Sequence, residues 1–99
     1  MPRVIITEGA AKGLEHCRLF LAQKKPTAAK RAAQAIKHQF KLLETKPEIG
    51  RPFEEVSEFR ELIIPFGDSG YIALYHHVIK SNSIFILAFR HQKEVGYLA

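Results

Sequence analysis

Residues 59–91 read FRELIIPFGDSGYIALYHHVIKSNSIFILAFRH, and this stretch decides the fold. Three runs rich in Ile, Leu, Tyr and Phe, namely FRELIIPF, GYIALYHHVI and SIFILAFRH, are separated only by GDSG at Gly67–Gly70 and KSNS at Lys80–Ser83. Apolar runs of this length bounded by turn-forming residues predict strands. Connections this short allow no helical crossover, so the three strands must pair antiparallel. The last run is nearly all apolar and is expected in the middle of the sheet. Alternation puts Phe85, Leu87, Phe89 and His91 on one face and Ile84, Ile86, Ala88 and Arg90 on the other. Both faces are therefore apolar until the last two residues. Helices can cover one of them. No remaining element of the chain is expected to cover the other, and an uncovered apolar face is a binding surface.

Working outward, RVIIT at Arg3–Thr7 is a short β-branched run that predicts a first strand. Leu14, Cys17 and Leu21, with Phe20 beside them, recur at helical spacing in EGAAKGLEHCRLFLAQKK, and Gly9 and Gly13 weaken the first turns of that helix. Pro26 stops it and suits the first turn of a second helix. There Ala29, Ala32, Ala33, Ile36, Phe40 and Leu43 form an apolar stripe, with Lys30, Arg31, Lys37, His38 and Lys41 largely outside it. Lys46-Pro47 ends this helix, and PEIGRPF is expected to be loop. The order β-α-α-β-β-β predicts an α+β single domain over residues 1–99, with an N-terminal helical hairpin packed on a mainly antiparallel sheet.

The composition fits one globular domain: 46% hydrophobic and 25% charged residues in 99. No apolar run approaches the roughly 20 residues that span a bilayer, and the N-terminus has no signal-peptide pattern. The single Cys17 suits a reducing compartment, so a cytoplasmic location is expected. Cys17 itself lies in the apolar stripe of the first helix and is expected in the core. A net charge of +5 is a modest excess that an acidic protein partner explains as well as nucleic acid does.

EFRELIIPFGDSGYIALYHHV followed by IFILAFRHQKEVGY, with KPEIGRPF before them, resembles the RelE/ParE superfamily of type II toxin-antitoxin toxins. The resemblance covers essentially the whole chain, and the pattern around Arg90, His91, Glu94 and Tyr97 is similar to ParE-like members. It implies a toxin with a cognate antitoxin, and two alternative activities. RelE-like members are ribosome-dependent endonucleases of messenger RNA, whereas ParE-like members poison DNA gyrase. Metal-free RNA cleavage needs a base, an acid and cations around the pentavalent phosphorane. The arginine following SGY in the ribonuclease falls here on Ile72, and two lysines of the preceding strand fall on Arg60 and Leu62. An arginine of a related ribonuclease branch falls on His76. Two apolar replacements among cationic positions favour the gyrase-poison branch.

The resemblance implies a target-binding surface built from Arg90, His91, Lys93, Tyr97 and Arg60. If the chain were a ribonuclease, the catalytic groups would be His91, Tyr97, Arg90 and Arg60, and the partners the ribosome with messenger RNA. No cofactor is expected. No metal is expected either, because His76 and His77 are adjacent in a strand and point to opposite faces. An antitoxin segment rich in Leu, Ile and acidic residues is expected to cover the open sheet face and the helical hairpin. DNA would be contacted mainly through that antitoxin.

Overall fold

The computed structural model describes residues 1–97. Strand β1 (Arg3–Ile6) leads into helices α1 (Glu8–Lys24) and α2 (Pro26–Leu42), followed by strands β2 (Arg51–Pro52), β3 (Phe59–Phe66), β4 (Ser69–Val78) and β5 (Ser83–His91). They form one sheet of order β1-β5-β4-β3-β2, antiparallel except where β1 runs parallel to β5. The α+β order expected from the sequence is the one observed. The last strand is interior, paired on both sides, but β4 takes the middle position.

Thr7 starts α1: its hydroxyl accepts from the Ala10 N–H and donates to the Ile86 carbonyl at 2.6 Å, tying the helix start to the sheet. Lys25 is both the last cap of α1 and the first of α2, and Pro26 opens α2 with its φ already helical. PEIGRPF is not entirely loop. Arg51 and Pro52 pair with Glu61 and Arg60 as a two-residue edge strand, where a proline costs no ladder hydrogen bond on the open side.

The expected faces of β5 need correction. Leu74 pairs with Ala88 while the next residue, Tyr75, pairs with Ile86, so Leu87 is an extra residue in the strand. One inserted residue inverts the alternation beyond it. Ile84, Ile86, Phe89 and His91 therefore share the helix-covered face. The first three are essentially fully buried there, with Leu62, Ile64, Tyr71, Ala73 and Tyr75 beside them and Cys17, Phe40 and Leu43 above. Gly9 and Gly13 explain how α1 comes so close. A Cβ on Gly9 would stand 2.8 Å from the Leu87 carbonyl oxygen, and one on Gly13 would collide with that of Phe89. The weak helix formers are the price of seating α1 on the bulged strand.

The opposite face also departs from expectation, because the chain itself covers part of it. After β5 the backbone turns back through Gly96, at φ +77°, and Tyr97 reaches Glu61 of β3 across the sheet. Ile72 and Leu74, on β4 between these strands, are only 4% and 8% exposed.

Candidate functional site

Arg90 is the last outward-facing residue of β5, in register with Ile72. Its Nη1 donates to the carbonyls of His91 (3.3 Å), Gln92 (3.4 Å) and Glu94 (2.6 Å), so one guanidinium folds the chain after the strand into a turn. Its Nε is buried and has no partner among the described residues. The guanidinium also lies 5.1 Å from the centre of the Tyr97 ring. The Tyr97 hydroxyl donates to Glu61 Oε2 at 2.5 Å, and Glu61 Oε1 accepts from Arg51 Nε at 3.1 Å. Arg51, Glu61, Tyr97 and Arg90 thus form a continuous charged and aromatic chain from the β2 edge to β5. Burial first, then the Glu61 carboxylate, holds the Tyr97 phenol well above its ordinary ionisation range. It is a donor and not a base.

His91 points the other way. Its ring meets Tyr71 edge-on at 5.5 Å. Nδ1 accepts from the Lys93 N–H at 3.1 Å, so in the neutral ring Nε2 carries the proton and donates to Ser69 Oγ at 3.0 Å. Glu94 closes the same turn: Oε1 accepts the His91 N–H at 2.9 Å, and Oε2 lies 3.8 Å from His16 Nε2 on α1. The Cys17 thiol, beneath Glu94, is pushed up to about 12 by burial and then by that carboxylate. Lys93 is exposed at the tip of the turn.

Arg60 does not join this group. It lies on the helix side beside Tyr75, where Nη1 donates to the Gly50 carbonyl at 2.8 Å and the Glu48 carbonyl at 3.4 Å. The fully buried Tyr75 hydroxyl donates to the Pro47 carbonyl (2.8 Å) and accepts from the Gly50 N–H (2.9 Å), fixing the same loop. Only glycine fits at position 50, because a Cβ would lie 2.6 Å from the Tyr75 ring. Tyr75 and Tyr71 are four residues apart on β4, and Arg60 and His91 are on the strands either side of it, so the two are offset by about 13 Å along the strands and by two strand spacings across them. The residues named from the sequence therefore divide three ways: Arg90 with Tyr97 outside, His91 with Lys93 at the strand end, and Arg60 on a loop anchor. Glu61 is the group that sequence reasoning missed, and a lone acid in an apolar strand was its available signal. Glu94 belongs to the family pattern but was not named among the site residues.

The family model described as ParE toxin of type II toxin-antitoxin system, parDE, matches residues 4–96 of the chain. The chain belongs to the ParE toxin family. No curated protein matches it by sequence. Membership in this ParE family, within the RelE/ParE superfamily, makes the chain the toxin half of a type II pair and implies a cognate antitoxin.

What can a ParE-family site of this shape do? Leu62, one of the positions equated with a ribonuclease lysine, is a core residue on the helix side. The outward residues of that strand are Glu61 and Ile63, an acid and an aliphatic, facing Leu74 and Ile72. His76 packs against Phe59 at 5.4 Å on the outer face, while His77 faces inward with its Nε2 buried and unpartnered among the described residues. No group of three or more His, Cys, Asp or Glu is placed to hold a metal among the described residues, and no helix there is long and apolar enough to cross a membrane. Between α1 and α2 runs a groove of about 670 Å³, floored by Val4, Leu14, Leu21, Ala33, Ile36 and Phe40, with Lys37 and Lys41 on its rim.

Proposed function

We propose that this chain is a toxin that acts by binding DNA gyrase in the cytoplasm, with no chemistry of its own, and is neutralised by its cognate antitoxin. The observation that carries this reading is the Glu61 carboxylate at the centre of the outer face, held there by Tyr97 and Arg51. A phosphorane gains stability from cations, and a buried anion beside Tyr97 opposes it. Both cations of that group are already engaged, Arg51 Nε with Glu61 and Arg90 Nη1 with three backbone carbonyls. The arrangement suits a rigid contact surface better than a nuclease centre.

The antitoxin has a natural seat in the groove between α1 and α2. An amphipathic helix would place Leu and Ile on the apolar floor and acids against Lys37 and Lys41. Of the two surfaces expected for the antitoxin, this reading keeps the helical hairpin and gives up the outer sheet face, which Tyr97 already shields in part. The test uses purified protein in two assays. Supercoiling by gyrase is expected to fall with added toxin and to recover when antitoxin is supplied. Ribosomes with messenger RNA are expected to show no cleavage above background. Cleavage that disappears in His91→Ala or Tyr97→Phe, with supercoiling untouched, would reverse the assignment to the ribonuclease branch.

A further inference from the structure

A second cleft, of about 630 Å³, opens where the end of α1 and the start of α2 meet the β3–β4 turn and the chain after β5. Lys24, Lys25, Arg31 and Lys93 stand around it, against two carboxylates, Asp68 and Glu94. Glu94 is already engaged with the His91 N–H and faces His16. Among the described residues none of the four cations forms an ion pair. Beneath them the floor is apolar, from Leu21, Ala28, Phe66 and Tyr71. Four cations converging on an apolar floor leave a positive field that a ligand must answer with negative charge and a hydrophobic anchor.

Peptide and nucleic acid both carry such charge, and the aromatic rings decide between them. Nucleic acid binds such clefts by stacking bases on open ring faces. Here Tyr71 lies between the rings of Phe66 and Phe89 in near-parallel stacks, at 6.3 and 5.2 Å, with His91 against it edge-on. Phe20, 55% exposed, has Lys24 Nζ over its ring at 5.1 Å. The cleft's inner rings, Phe66 and Tyr71, are thus stacked on each other, and only Phe20 is exposed, with one face under Lys24. Asp68 repels any anion beside it, but it can accept the backbone N–H of a polypeptide, a donor that a phosphate backbone lacks. We infer that this cleft docks an acidic segment of the target protein, with Asp and Glu side chains on Lys24, Lys25, Arg31 and Lys93 and an aliphatic side chain on the floor. The inference rests on the reading of the chain as a protein-binding toxin and gives its target a chemistry. It also gives Lys93 and His91 a common role: the His91–Ser69 contact closes the cleft wall from which Lys93 projects.

The experiment measures fluorescence anisotropy of a labelled peptide made of Glu and Asp with two leucines, alongside a labelled oligothymidine of similar charge. Full-length protein is compared with Lys24→Glu/Lys93→Glu and with Lys12→Glu/Lys80→Glu, a charge-matched pair outside the cleft. Peptide affinity is expected to fall roughly tenfold or more in the cleft variant and less than about twofold in the control, and to weaken with salt. The cleft variant should also stop inhibiting gyrase while still binding antitoxin. Equal losses in both variants would show unspecific attraction and overturn the inference. So would tighter binding of oligothymidine at the cleft, or loss of antitoxin binding with gyrase inhibition intact. If wild-type protein binds the peptide at the cleft yet leaves gyrase untouched, the gyrase reading fails by itself. If it poisons gyrase and the cleft variant does so equally, the cleft assignment fails and the gyrase reading stands.

Discussion

Cys17 sits under Glu94 and takes no part in the proposed contacts, yet it makes a measurable claim. Its folded ionisation is raised from 9.0 to about 12, so the folded chain holds a proton that the unfolded chain releases above pH 9. The stabilisation is complete below pH 9 and is lost as pH rises from 9 towards 12. Between pH 8 and 10 the melting temperature should drop, and Cys17→Ala should drop less over the same interval. A parallel decline in both proteins would show that the thiol is not the titrating group. Tyr97 also has a raised phenol, so its own loss begins only above about pH 10. Tyr97→Phe removes the hydroxyl that Glu61 accepts and should cost about 1–3 kcal/mol, because a buried carboxylate loses one of two partners. Phe89 is 1% exposed, and Phe89→Ala should cost about 3–5 kcal/mol by denaturant titration. That is a large share of a small domain's stability, so its toxicity would vanish through unfolding.

Among elements, the bulged β5 and the glycine face of α1 depend on each other. Gly13→Ala gains roughly 1 kcal/mol of helix propensity but pushes a methyl into the Phe89 carbonyl, and overpacking of that kind costs about 1–3 kcal/mol. Net destabilisation is expected, read as a lower urea midpoint; a raised midpoint would mean that α1 can lift off the strand freely. The turn after β5 gives a second prediction. Arg90→Ala removes three hydrogen bonds to carbonyls and the contact with Tyr97, so it should loosen residues 91–97 in hydrogen exchange and reduce gyrase inhibition while antitoxin binding persists. Deleting Val95–Ala99 is not the neutral trim of a loose tail, although Leu98 and Ala99 lie outside the described residues. It removes Tyr97 from above Ile72 and Leu74, and the truncated chain should expose that face to dyes that bind apolar surface.

For the whole molecule, the two grooves divide the partners. The groove between the helices is nearly apolar, and the cleft at the strand end is basic. An antitoxin helix folding into the first should bind with a large negative heat-capacity change and a salt dependence limited to its contacts with Lys37 and Lys41, measured by calorimetry at several temperatures. A heat-capacity change near zero would place the antitoxin elsewhere.

Residue pattern alone carried the order of elements, because burial forces a period of two on strands and about 3.6 on helices, and turn residues punctuate both. The pairing of three consecutive strands followed from turns too short for any other connection. Family likeness likewise lies in local strings of residues, and GRPF and RHQKE stand where the strands need them. The face presented by each residue near the C-terminus did not follow. One unpaired residue at Leu87 inverts Phe89, Arg90 and His91, and nothing in an apolar run marks which residue will be extra. The cover over Ile72 and Leu74 depends on a hydrogen bond between residues 36 positions apart, Tyr97 and Glu61. Periodicity is a local property, whereas a bulge and a returning tail are settled by contacts between distant segments, so only the tertiary structure could decide which side each cation faces.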